Sequence, residues 1–272
     1  MKPAPFTYCR PDNVDQVLDL LRQHGDDSRI LAGGQTLMAM LNMRLVEPKV
    51  LIDISMLEGL RFIRVVDNFL EIGAAVIQAD LLAWPDLEQY APLIAKALPW
   101  VGHAQTRNKG TICGSIAHSD PSSEMPLCLA LLGGEVVLRS RSKRRMVKAA
   151  DFQIGTLTTA RQEDELIEAI RIPVPADHSK FAFEEIAIRH GDFALVAVAA
   201  SHGPDGIRVG IGGVADRPEI RHWKHLSETE IDTALNDLAH ELGGYDDIHA
   251  SAAYRRELVR TIGKRVILEV MA

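Results

Sequence analysis

Two glycine-bearing segments constrain the fold of this 272-residue chain more than any other feature: Ala32-Gly33-Gly34-Gln35-Thr36 and Thr111-Ile112-Cys113-Gly114-Ser115. The first follows a short apolar run, Arg29-Ile30-Leu31, and precedes Leu37, Met38, Leu41 and Leu45 at helical spacing. A strand, a glycine turn and a helix in succession leave backbone N–H groups free at a helix N-terminus, where peptide dipoles add partial positive charge. The second segment runs into His118-Ser119-Asp120-Pro121-Ser122-Ser123-Glu124, dense in hydroxyls and carboxylates. Two such loops point to a large phosphate-containing cofactor held at two places. Each loop alone has a plainer reading, a tight turn in which glycine supplies positive φ. Neither has the G-x-G-x-x-G spacing of a dinucleotide fold or the spacing of a P-loop, which argues against a Rossmann nucleotide site. Thr36 and Ser115 set hydroxyls beside the glycines, which favours an anion.

The net charge of −7 argues against a nucleic-acid surface. Apolar residues make up 47% of the chain, yet no run approaches the twenty or so needed to span a membrane. The start, Met1-Lys2-Pro3-Ala4-Pro5, lacks the apolar stretch of a signal peptide, so a cytoplasmic location is the expectation. Cys9, Cys113 and Cys128 are isolated, with no C-x-x-C pair to hold zinc or an iron–sulfur cluster. The basic run from Arg139 to Arg145 reads as a hairpin tip rather than a docking site for an acidic partner.

Asn13 reads as an N-cap for a helix carrying Val14, Val17, Leu18 and Leu21, with Gly25 ending it. Strands are expected at 29–32 and 50–54 around a helix at 36–45. A hairpin follows, 60–66 and 69–73, turning at Asp67-Asn68. Helices at 77–84, 92–98 and 126–132 and strands at 135–140 and 166–172 complete the first part. Pro173-Val174-Pro175 marks the domain boundary. Strands at 181–188, 195–201 and 207–211, then helices at 228–242 and 250–270, suggest a small α+β domain.

These residues carry a resemblance. Ala32 to Leu37, then Asn42-Met43-Arg44-Leu45 and Leu51-Ile52-Asp53-Ile54, resemble the FAD-binding medium subunit of the xanthine dehydrogenase and carbon monoxide dehydrogenase (molybdenum hydroxylase) family. The segment from Thr111 to Glu124 is similar to that family's second FAD motif. The order continues with Arg189-His190-Gly191-Asp192-Phe193-Ala194, with Gly212-Gly213-Val214-Ala215-Asp216-Arg217-Pro218, and with Ser251-Ala252-Ala253-Tyr254-Arg255-Arg256. The resemblance implies an α+β fold: a two-subdomain FAD-binding fold of the vanillyl-alcohol oxidase type, then a C-terminal α+β domain with a three-stranded antiparallel sheet. The FAD-binding part would occupy residues 1–176, with subdomains at roughly 1–55 and 56–176, and the C-terminal domain 177–272. It implies partners too: a large molybdopterin-binding subunit and a small iron–sulfur subunit, in a dimer of heterotrimers. Electrons would pass from those clusters through FAD to an external acceptor. A self-contained flavin-dependent reductase or oxidase is the alternative.

By the same resemblance, Gly33, Gly34, Gln35 and Thr36 would give donors to the pyrophosphate, framed by Ala32 and Leu37. Thr111, Gly114 and Ser115 would complete the cradle. Asp120 and Glu124 would suit sugar or ribityl hydroxyls rather than phosphate, Glu124 being the better placed. Its alternative is a helix N-terminal carboxylate. Phe193 would cover one face of the isoalloxazine ring, or else open a core strand. No residue is assigned to catalysis or to a metal. Three departures from the family pattern stand out: Cys113 for a glycine, Ala39 for a proline and Ser119 for an alanine. The Cys113 side chain is expected to point away from the pyrophosphate, or the loop to shift slightly.

Overall fold

The parallel sheet that opens the chain is built from three short strands, with Val50–Asp53 at its centre between Thr7–Cys9 and Ser28–Leu31. Val50, Leu51 and Ile52 are all buried, as a strand covered on both faces requires. A computed structural model describes residues 2–272. The helix Val14–His24 begins where expected, the Asn13 side chain accepting from the Gln16 amide at 3.0 Å. Gly25 ends it with φ of 44°. The helix after the first glycine loop is shorter than its sequence pattern, Leu37–Asn42. Arg44 turns left-handed (φ 56°), and the Leu45 amide reaches back to the Met40 carbonyl at 2.9 Å. A non-glycine residue in that capping position leaves no signal in the sequence.

A five-stranded antiparallel sheet follows, in the order Ile63–Val66, Phe69–Gly73, Leu166–Pro173, Glu135–Arg139, Arg144–Lys148. Asp67 and Asn68 both have positive φ, as a tight two-residue hairpin turn demands. The basic run is a hairpin, and acids within the chain neutralise it. Arg139 and Arg144 both meet Glu168, Arg145 meets Glu165, and Arg141 reaches Asp15 and Asp19.

The C-terminal sheet is antiparallel with four strands, not three: Lys180–Ile186, Val196–Gly203, Gly206–Gly212 and Glu219–Trp223. Glu219–Trp223 is a half-buried edge strand carrying Glu219, Arg221 and His222, so it lacks the apolar alternation that marks a strand. Both faces of this sheet are covered. Val196, Val198 and Ala200 pack under the helices Ile231–Leu242 and Ala252–Met271. Ala197 and Ala199 pack against the main core of the molecule, which holds the helices Pro92–Ala97 and Glu124–Leu131. Alternate residues of one strand thus serve two cores, which ties the C-terminal sheet to the rest.

Arg255 locks the far side of this domain. It is 2% exposed. Its guanidinium donates to the Leu195 and Gly213 carbonyls at 2.5 and 2.9 Å and to Asp247 at 2.6 Å, and lies over the Tyr245 ring. Gly213 has φ of 80°, and a Cβ there would sit 2.6 Å from the Leu195 carbonyl oxygen. Two of the sequence motifs, those of Gly213 and Arg255, therefore meet in a structural knot outside the cleft lining. Replacing Arg255 by Ala strands two carbonyls and Asp247. The expected loss is about 3–5 kcal/mol of stability, read by urea unfolding.

Candidate functional site

A cleft of about 700 Å³ runs between the parallel sheet, the five-stranded sheet and the start of the C-terminal domain. Both glycine loops line it. The first also touches the segment that leads into the second: a Cβ on Gly33 would lie 2.2 Å from the Lys109 carbonyl oxygen and 2.7 Å from the Gly110 Cα. Only glycine allows that approach. Gly34 has φ of 68°, a conformation that side chains resist. Its neighbours are permissive by comparison, the Leu31 and Met38 side chains at 3.1 and 3.3 Å from a built Cβ.

The first loop is a row of donors without acceptors. Among the described residues, none of the backbone amides of residues 33–37 has a partner in the chain. Thr36 precedes the helix, yet its hydroxyl makes no cap. Unpartnered amides in succession at a turn before a helix are the kind of backbone that can receive an anion. The second loop works differently. Thr111 caps the helix Ile112–His118 by accepting from the Gly114 amide at 3.0 Å. The Gly114 N–H is thereby engaged, and a Cβ at Gly114 would meet the Thr111 hydroxyl at 2.7 Å. Gly114 is there for the cap as much as for the cleft. Ser115 lines the cleft. The Cys113 Sγ lies 3.6 Å from the Ile72 carbonyl oxygen, and burial pushes the thiol pKa up to about 12.

Ala32, Gln35 and Leu37 line the cleft with these loops, as do Glu124 and Phe193. Asp120 does not. Its carboxylate accepts from the Ser122 amide at 2.8 Å and faces His118 at 3.9 Å, which shapes the loop before Glu124. Ser119 does more than its sequence position suggests. It is left-handed (φ 56°) and fully buried. Its hydroxyl donates to the Thr158 carbonyl at 3.2 Å, and its own carbonyl accepts from Leu157 and Gln153. Phe193 is 55% exposed, so it is not a core residue. Its loop is held by the Arg189–Asp192 pair and by His190, which stacks on Trp100 at 5.5 Å.

Glu124 opens the helix Glu124–Leu131 and is 4% exposed. Burial pushes its carboxyl up to about 7, and the charge of Asp120 adds to the effect. Sequence reasoning missed several lining residues. Gln78 is buried with its Oε1 unpartnered, an acceptor waiting for a donor. Arg29 and Arg161 bring positive charge to the cleft beside Asp26 and Glu165. Arg161 lies some 130 residues from the first loop in sequence and carries no local motif. Its pKa is lowered by burial and by the Arg29 charge. Among the described residues there is no cluster of metal-type ligands and no helix long and apolar enough to cross a membrane.

A protein-family model for the FAD binding domain in molybdopterin dehydrogenase matches residues 4–175. The chain is 32% identical to the 6-hydroxypseudooxynicotine dehydrogenase complex subunit alpha of Paenarthrobacter nicotinovorans, covering 100% of this chain and 96% of that one. It is 33% identical to the nicotine 6-hydroxylase medium subunit of the same organism, covering 100% and 99%. A chain of the solved carbon monoxide dehydrogenase from Hydrogenophaga pseudoflava superposes with a TM-score of 0.94 at 30% identity, covering 100% and 99%.

The contact at Gly33 predicts a particular failure. Gly33→Ala should destabilise the flavin-free chain by about 1–3 kcal/mol, because backbone rather than a flexible side chain must give way. Urea unfolding without cofactor reads this directly. An unchanged midpoint would mean that Gly33 does not pack against the Lys109-Gly110 backbone.

Proposed function

Because the chain belongs to the family of FAD-binding domains of molybdopterin dehydrogenases, we propose that it is the electron-transfer subunit of a molybdenum hydroxylase complex. It would take electrons from iron–sulfur clusters of a small partner subunit and pass them through FAD to an external acceptor. A large molybdopterin subunit would oxidise the organic substrate. The complex would be a cytoplasmic dimer of heterotrimers. Residues 1–176 would form the FAD-binding part and 177–272 the C-terminal domain.

The observation that carries this reading is the row of unpartnered amides at residues 33–37, all of which line a cleft of about 700 Å³. That volume lies within the range of cofactor pockets. The residues fit a flavin dinucleotide. The amides from Gly33 to Leu37 and the Thr36 hydroxyl would hold the pyrophosphate, with Ser115 opposite. Ala32 would frame the loop. Thr111 and Gly114 would hold Ser115 in place through the cap. Glu124, in either protonation state, keeps an acceptor oxygen for a ribityl hydroxyl, and Asp120 supports its loop. Gln78 Oε1 would accept from a ring N–H. Phe193 would shield one face of the ring from water. FAD, when bound, supplies reversible two-electron and one-electron chemistry, and the chain supplies position and electrostatics.

Two outcomes test this. Thr36→Ala and Ser115→Ala should each weaken FAD binding about 5–10-fold, the worth of one hydrogen bond, without shifting the unfolding of the apo chain. In addition, the purified chain alone should not reduce its flavin with organic substrate, whereas the assembled complex should. Flavin reduction by the isolated chain at the rate of the complex would instead favour a self-contained oxidase.

A further inference from the structure

Neither carboxyl oxygen of Glu185 has a hydrogen-bond partner, although the residue is only 3% exposed. Its strand, Lys180–Ile186, alternates between two cores. Ala182 packs under the terminal helices, and Glu184 pairs with Arg265 of the last one. Phe183 packs into the main core, so Glu185, two residues on, points the same way. That side holds the helix Glu124–Leu131, whose first residue lines the cleft and whose Cys128 lies one turn on. The charges of Glu124 and Glu185 both act on Cys128, and the charge of Glu124 acts on Glu185.

Few charges surround the two glutamates. Asp120 faces His118 at 3.9 Å, and its charge acts on Glu124. Lys96, on the helix Pro92–Ala97, is tied to Glu269 at the surface. The neighbouring strand offers only Ala197 and Ala199 on this face. Arg265, on the opposite face, is held by Glu184. No cation acts on either carboxyl.

We propose that Glu124, in the wall of the cofactor cleft, and Glu185, in the core behind it, form a proton store, which takes up a proton as the anionic dinucleotide binds and makes its affinity fall as pH rises. This rests on the FAD reading above. The pyrophosphate brings negative charge, and the bound ligand removes water from Glu124. Both effects disfavour the carboxylate. The proton comes from solvent to a carboxylate oxygen, and no electron moves. Burial, with the charge of Glu124 behind it, pushes Glu185 up to about 8, while Glu124 stands at about 7. The pair can therefore accept protons at neutral and mildly alkaline pH. A group whose pKa is higher in the complex favours binding at low pH and loses that contribution as pH rises through the bound-state value.

The test is a calorimetric titration of the flavin-free full chain with FAD, in buffers of different ionisation heat, at about pH 8. The wild type should bind with net proton uptake, and its Kd should rise by up to about tenfold per pH unit between about pH 7 and 9. Glu185→Gln should still bind FAD but lose about half or more of the uptake. Binding without proton uptake in the wild type, or equal uptake in the variant, overturns the proposal alone. No FAD binding by the wild type overturns the cofactor reading and this inference with it. A second readout needs no variant. The infrared spectrum of the wild type should show the carbonyl band of a neutral buried carboxylic acid near neutral pH, fading by about pH 10. Its absence also overturns the proposal.

Discussion

The backbone of Gly33 lies against the backbone of Lys109 and Gly110, at a distance that no side chain permits. This contact joins the parallel sheet to the segment that leads into the second glycine loop, and the cleft is the space left beside it. The first loop ends in free amides because its helix starts immediately after the turn. The second loop is stiffened by the Thr111 cap, which fixes Ser115 relative to the first. A binding site made of two loops needs that kind of fixed spacing, since an ångström of slack weakens every hydrogen bond to a shared ligand.

The segment 191–193, which precedes the second strand of the C-terminal sheet, is a wall of the same cleft. One face of that sheet shares the main core, and the loop carrying Phe193 is pinned by His190 on Trp100. The Gly213 amide donates to the Pro121 carbonyl at 2.9 Å, between the second glycine loop and Glu124. The cleft residues are thus held by contacts from the three larger sheets. Arg255 fixes the Leu195 and Gly213 carbonyls from beneath.

Much of this was legible in the sequence because it is local chemistry. Asn13 and Gly25 bracket a helix, Asp67-Asn68 makes a hairpin, and Gly33-Gly34 makes a turn that faces the cleft. What escaped depends on partners distant in sequence. The strand Glu219–Trp223 is held by its ladder to Gly206–Gly212 and shows no apolar alternation. Thr7–Cys9 is too short to read alone. Gln78, Arg29 and Arg161 reach the cleft only through the fold. Asp120 and Glu124 look alike in sequence, but the turn at Ser122 engages one and the helix start directs the other to the cleft.

The central claim is that both loops together hold one FAD, noncovalently. Acid precipitation of the purified protein followed by chromatography of the supernatant tests it most directly. The account predicts FAD in the supernatant, close to one per chain, and a colourless pellet. Recovery of FMN, flavin retained in the pellet, or no flavin after reconstitution with FAD would contradict it.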